Sequence, residues 1–260
     1  MKWMRLKTNM NIVNVENRLK YNPKIVEFYL NDTDLQRPDL IRDRIRLLKR
    51  HGVTVYLHHP PKVEGIFLDI LSDGEPVRSF YRRSSELLAA ICNEEGAKCV
   101  LHANYAGGAP WETATKEQMR RLKREIEAVQ SFADGCFVWE DSTEGLFCYA
   151  NPRLIDEVIA PLRLPLNVDV SHTFIALRGD NAGLKRVLEA TKPYTRYYHL
   201  VDSMGMEHDS LPLGQGRIDW RMVKPYVKDS EFIFEIGLSG DHSDCTPMVD
   251  SARYFAELEE

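Results

Sequence analysis

Residues 116–142 read KEQMRRLKREIEAVQSFADGCFVWEDS. Met119, Leu122, Ile126, Val129 and Phe132 recur at steps of three and four, the spacing of one helix face. Thr115 and Gln118 form a capping-box pattern at its start. The run Cys136–Glu140 that follows has strand length, is rich in Phe, Val and Trp, and ends in an acid. A strand that stays apolar on both faces until its last residue belongs in a parallel sheet covered on both sides.

The same unit repeats outward in both directions. Strand-like runs lie at Met4–Thr8, Ile25–Leu30, Val53–His58, Lys98–His102, Cys136–Glu140, Leu166–Val170, Tyr197–Val201 and Phe232–Ile236. Helical spacing lies between them. Ile12–Leu19 is a weak first helix. A second carries Leu40, Ile41, Ile45 and Leu48, with Gly52 beyond its end, and a third carries Leu87, Leu88 and Ile91, with Gly96 as its stop. Asp156–Leu162, Leu184–Ala190, Trp220–Val227 and Val249–Leu258 complete the set. Eight strands, each followed by a helix, predict an α/β chain folded as a single (β/α)8 TIM barrel rather than an open doubly wound sheet. No GxGxxG follows the first strand, and no Pro/Gly/Ser-rich linker divides the chain. One domain is expected over residues 1–260.

Composition narrows the function classes. The 260 residues are 43% hydrophobic and 28% charged, with a net charge of −5, which does not suit a protein that coats DNA. No apolar run approaches the ~20 residues of a membrane span, and Met1-Lys2-Trp3-Met4-Arg5 carries no stretch of signal-peptide type, so a cytoplasmic protein is expected. Cys92, Cys99, Cys136, Cys148 and Cys245 form no CxxC pair and read as reduced, buried thiols.

Active sites of such barrels form at the C-terminal ends of the strands, and the polar residues collect there: His58, His102, Glu140, Asp169 with His172 three residues on, His199 and Glu235. Alternation orients them. Val53, Val55 and Leu57 share one face, which turns His58 inward and His59 toward the helices. By the same rule Glu140, Asp169 and Glu235 face in. Three carboxylates and several histidines at one barrel mouth are costly unless a cation neutralises them. A divalent metal held by Glu140, Asp169, His199 and Glu235 answers that cost, and mixed oxygen and imidazole ligands suit Zn2+ or Mn2+. The bland alternative pairs each acid with an arginine or lysine.

Taken in order, these residues and their neighbours give the chain a family likeness. It resembles the xylose-isomerase-like barrels, the superfamily that joins sugar isomerases and epimerases with the endonuclease IV type of abasic-site nuclease. The resemblance runs over essentially the whole chain. It is carried by Leu57-His58-His59-Pro60, Val100-Leu101-His102, Trp139-Glu140-Asp141-Ser142, Asp169-Val170-Ser171-His172, His199-Leu200-Val201-Asp202-Ser203, Leu213–Trp220 and Phe234-Glu235.

On the isomerase side, the resemblance implies one ion on Glu140, Asp169, His199 and Glu235, which stabilises an enediolate. Glu140 and Glu235 lie on opposite sides of the reacting carbon as its acid and base, and His172 binds a substrate oxygen. His58, His102, Arg217 and Trp111 are further candidates for contact with a sugar or polyol, free or phosphorylated, and the Gly107–Trp111 loop is a candidate lid. On the nuclease side, it implies two or three zinc ions acting on abasic DNA. His58, His102 and Glu140 form one site, Glu140 bridges to the second, and His172 belongs to a third. There the expected Asp-x-His pair is replaced by Met206-Glu207-His208-Asp209-Ser210, which leaves His208 as a candidate ligand. Metal-dependent dehydratase or lyase chemistry, and a non-catalytic barrel that keeps a metal, are the remaining readings. DNA is a partner only under the nuclease reading, and a homo-oligomer stays open.

Overall fold

The computed structural model describes residues 3–105, 109–133 and 135–259. Its elements follow in order as β1 (Arg5–Thr8), α1 (Ile12–Leu19), β2 (Ile25–Tyr29), α2 (Pro38–Arg50), β3 (Thr54–His58), β4 (Lys62–Val63), β5 (Ile66–Phe67), α3 (Glu75–Glu95), β6 (Lys98–His102) and α4 (Lys116–Gln130). Then come β7 (Phe137–Glu140), a π-helical turn at Ile155–Ile159 that runs into α5 (Ala160–Leu162), β8 (Leu166–Asp169), α6 (Val170–Ala176), α7 (Asn181–Thr191), β9 (Thr195–Leu200), α8 (Trp220–Val227), β10 (Glu231–Phe234) and α9 (Thr246–Glu257).

Among the described residues, eight parallel strands close into a barrel in the order β1, β2, β3, β6, β7, β8, β9, β10 and back to β1. The expected (β/α)8 architecture is therefore present. Each of the eight predicted runs holds a barrel strand, with ends shifted by a residue or two. The capping box at Thr115 and Gln118 forms as its spacing predicts. All five cysteines are buried, and none forms a disulfide among the described residues.

Three features differ from the sequence reading. The loop after β3 carries the small antiparallel hairpin β4–β5, too short to leave a periodic signal. The third helix begins at Glu75, well before Leu87, and its early buried face mixes Val77 and Tyr81 with Ser84 and Ser85, which hides its period. The extra helix α6 starts directly on the last residue of β8, with Asp169 as its N-cap.

The outer core fills the space between strands and helices, with Leu57, Leu101, Trp139, Val168 and Phe234 facing the helices. A separate cluster fills the barrel axis: Ile25, Tyr56, Val100, Val138, Tyr197 and Ile233. Tyr56 and Tyr197 stack there with ring centroids 3.8 Å apart. Because side chains alternate along a strand, the inward positions two residues further on are Glu27, His58, His102, Glu140, His199 and Glu235. The apolar plug is thus the floor, and the polar layer above it opens to the mouth. No helix among the described residues is long and apolar enough to cross a membrane.

Candidate active site and metal centre

Above the plug lies a cavity of about 730 Å³, lined by Lys7, Tyr29, His58, His102, Glu140, His172, His208 and Glu235, with Phe67 and Leu238 nearer the rim. That volume suits a small molecule.

Glu140, Asp169, His199 and Glu235 each offer one ligand atom, and these four atoms lie within 4.8 Å of one another. His199 organises the set. Its Nε2 lies 2.9 Å from Glu27 Oε2, in the position to donate to it, and both residues are fully buried. That bond leaves Nδ1 facing Glu235 Oε2 at 2.6 Å, Glu140 Oε1 at 3.3 Å and Asp169 Oδ2 at 3.9 Å, without a hydrogen bond of its own. Asp169 is divided in the same way. Its Oδ1 caps α6 by accepting from the His172 backbone N–H at 2.8 Å and from Ser171 Oγ at 2.9 Å. Its Oδ2 is buried and has no hydrogen-bond partner. The Asp-x-x-His spacing is therefore the N-cap and the third residue of a helix, which points one carboxylate oxygen and one imidazole into the same site.

His58, His102 and Glu140 form a second group within the same reach. Here the other oxygen of Glu140 takes part: Oε2 lies 3.4 Å from His58 Nε2 and 3.1 Å from His102 Nε2. His58 Nδ1 donates to the His59 carbonyl at 2.9 Å, which leaves Nε2 as the ring nitrogen turned toward the Glu140 carboxylate. A cation held between this nitrogen and Oε2 would draw on both as ligands. Asn167 steadies the bridge by donating to Glu140 Oε2 at 3.0 Å.

The charges respond accordingly. Burial pushes the Glu140 carboxyl up, but His102 and His199 outweigh it and hold it well below the usual carboxylate range. Burial likewise opposes ionisation of Glu235, and His199 with Lys7 brings it well below that range. Burial works against the His199 imidazolium, yet Glu140, Glu235 and Glu27 raise it well above the ordinary histidine value. Burial also opposes the His172 imidazolium, while Asp169, Glu140 and Asp141 lift it to about 9. His102 moves the other way, lowered by burial. Without a metal, His199 carries the positive charge that three carboxylates demand. A divalent cation can take over that role, so the buried Nδ1 and Oδ2 without partners and the donor set fit such an ion.

Most sequence candidates converge here. His172 lines the cavity, and its Nε2 lies 2.9 Å from His208 Nε2. The His half of the Asp-x-His pair is thus in place, while Met206 points outward and is 71% exposed. His59 faces α3, as alternation requires, with its Nε2 2.7 Å from Ser84 Oγ. The separation of His58 and His102 from Glu140 leaves a bridged second site within metal reach.

Two candidates do not converge. Arg217 is exposed and does not line the cavity. Its loop is built around Asp202, a fully buried carboxylate that accepts from the backbone N–H of Ser203, Gly214 and Ile218 and from Trp220 Nε1. A Cβ at Gly216 would fall 2.2 Å from Asp202 Oδ1, so the glycine serves this packing. Trp111 opens a short 3-10 turn and borders a separate cavity with Arg178 and Met206. Gly107 and Gly108 of the candidate lid lie outside the described residues.

The sequence reading missed Lys7 and Asn167. Lys7 stands between the buried Leu6 and Thr8, and Asn167 stands two residues before Asp169 on the same face. Alternation was the available signal for both. The bland pairing of acid with base holds at one position, Glu235, to which Lys7 Nζ donates.

A family model described as a xylose isomerase-like TIM barrel matches residues 20–255. No curated protein matches the sequence. Solved structures resemble it throughout. A D-tagatose 3-epimerase-like protein is 17% identical with a TM-score of 0.77, covering 97% of this chain and 96% of its own. The protein TTHB071 from Thermus thermophilus, soaked with ZnCl2, is 20% identical with a TM-score of 0.72, covering 97% of each chain. D-psicose 3-epimerase from Clostridium cellulolyticum H10, with D-tagatose, is 14% identical with a TM-score of 0.67, covering 94% of this chain and 90% of its own. At these identities the likeness is one of fold.

Proposed function

Because the chain belongs to the xylose isomerase-like TIM barrel family, we propose that it is a divalent-metal-dependent isomerase or epimerase of a sugar or polyol. The observation that carries this reading is the approach of Glu235 Oε2 to 2.6 Å and of Glu140 Oε1 to 3.3 Å from the buried Nδ1 of His199, at the base of a cavity of small-molecule size.

Glu140, Asp169, His199 and Glu235 hold the ion, Zn2+ or Mn2+. When bound, it polarises a substrate carbonyl and stabilises the negative charge that develops on its oxygen. The chain's own residues move the proton. One of Glu140 and Glu235 removes it from the carbon beside the carbonyl, and the electron pair of the broken C–H bond passes to the carbonyl oxygen. The other carboxyl, which must enter the step carrying a proton taken from solvent, delivers it from the opposite side, so that the carbonyl re-forms and the carbon is inverted; delivered instead to the former carbonyl carbon, while the proton of the adjacent hydroxyl passes to the old carbonyl oxygen, it moves the carbonyl. His172 donates to a substrate oxygen from the cavity wall. Glu27 and Asn167 hold His199 and Glu140 in these positions.

A second reading rests on one observation, the placement of His58 and His102 around Glu140 Oε2 with His208 beside His172. With two ions this layout serves a phosphodiesterase, in which Glu140 joins the two sites.

The deciding experiment pairs a metal count with two assays. One ion per chain, with solvent deuterium entering a ketose product, supports the isomerase. Two or three zinc ions, with nicking of an abasic duplex at low salt, support the phosphodiesterase and sink the first reading.

A further inference from the structure

Lys7 is carried by β1 and Glu235 stands just past β10, the two strands that close the barrel through the pair Leu6 and Phe234. Both side chains turn inward and both line the cavity. Lys7 Nζ donates to Glu235 Oε1, while Glu235 Oε2 is the oxygen 2.6 Å from His199 Nδ1. The two oxygens of one carboxylate are thus given to two different partners. The ammonium is itself held in place, since the Tyr29 ring centroid lies 4.5 Å from Nζ. Its backbone is held too. Arg18, a buried arginine of α1, donates from Nε to the Lys7 carbonyl and from its Nη atoms to the His242 and Ser243 carbonyls in the loop after β10. One guanidinium therefore ties together the two segments that present Lys7 and Glu235.

We infer that Lys7 is a positioning residue that limits Glu235 to one-oxygen ligation of the divalent cation, so that a coordination place stays open for a substrate oxygen. The inference rests on the metal-dependent reading above. A carboxylate can occupy one or two places on a metal ion, and a metal site that does chemistry keeps one place free of protein. The charged N–H bond from Lys7 claims Oε1 and makes its transfer to the ion unfavourable. Among the described residues no other side chain donates to Oε1, so without Lys7 Glu235 would fill the open place itself.

Cobalt substitution reads this without any turnover assay, because the visible bands of Co2+ weaken as its coordination number rises. At equal Co2+ occupancy, Lys7→Met should lose visible absorption severalfold, and Lys7→Arg, which returns an N–H donor to Oε1, should restore it. The double variant Lys7→Met/Glu235→Gln should also recover it, because glutamine offers a single oxygen. Unchanged absorption in Lys7→Met overturns the inference and leaves the metal site standing. Failure of the wild-type chain to bind Co2+ overturns both. Should Lys7→Met not fold, the infrared difference between loaded wild type and loaded Glu235→Gln decides. A one-oxygen carboxylate pattern for Glu235 is expected, and a two-oxygen pattern refutes the inference.

Discussion

Glu27 gives the sharpest test of the metal centre, because it touches His199 on the ring nitrogen turned away from Glu140, Asp169 and Glu235. Its Oε2 is 2.9 Å from His199 Nε2, and its Oε1 has no hydrogen-bond partner. Replacement by leucine removes both a negative charge and the acceptor that fixes the imidazole. Replacement by glutamine removes the charge and keeps an acceptor. A cation on the far side of the ring lies about 7 Å from that carboxylate, and at an effective dielectric of about 20 the Coulomb term is 332/(20 × 7), or ~2.4 kcal/mol. That corresponds to roughly 50-fold in affinity. Glu27→Gln should therefore bind Zn2+ or Mn2+ roughly 50-fold more weakly, and Glu27→Leu more weakly still, near the upper end of the ~10- to 100-fold range for partners behind a metal-bound histidine. Calorimetric titration of metal-stripped protein measures this, with circular dichroism to verify the fold. If Glu27→Leu bound both ions as tightly as wild type, His199 would not be a ligand held by Glu27, and the reasoning would fail at its first step.

Three further outcomes are expected. Glu140→Gln should lower kcat by about 10²- to 10⁴-fold, the usual worth of an acid or base group, and should reduce the bound metal, because Glu140 faces both ligand groups; an unimpaired variant would remove Glu140 from the chemistry. Asp202→Asn turns one of two oxygens, each accepting two N–H groups, into a donor, and should cost about 3 kcal/mol in urea unfolding; stability equal to wild type would show that the loop does not depend on this carboxylate. Arg217→Ala should leave KM for the active ketose unchanged, since Arg217 does not line the cavity, and a large rise in KM would place the side chain back at the substrate.

Much of the site was legible because a barrel converts two simple patterns into position. The period of two turned His58, Glu140, Asp169 and Glu235 inward, and the ends of the strands placed them in one layer. Asp169-Val170-Ser171-His172 was legible as a motif, although its physical basis, a helix cap, emerged only with α6. Arg217 lies away from the cavity for a definite reason. A basic residue in a Gly-x-Gly loop resembles a ligand contact, but the direction of that loop is set by Asp202, distant from Gly214–Ile218 in sequence and central to them in space. Trp111 could not be placed in advance either, because a loop residue carries no alternation to orient it.

The sequence by itself determined the repeating strand-helix unit, and with it the barrel and the set of acids and histidines at its mouth. Local periodicity suffices for that, since each strand must hide its apolar positions wherever its neighbours lie. The tertiary structure alone decided how individual atoms are shared: which oxygen of Asp169 caps a helix, which nitrogen of His199 faces Glu27, and that Lys7 and Glu235 meet where the first and last strands close the barrel. These pairings join residues up to 228 positions apart. They depend on strand register and on the staggering of the closed sheet, neither of which leaves a trace in the local pattern of any one strand.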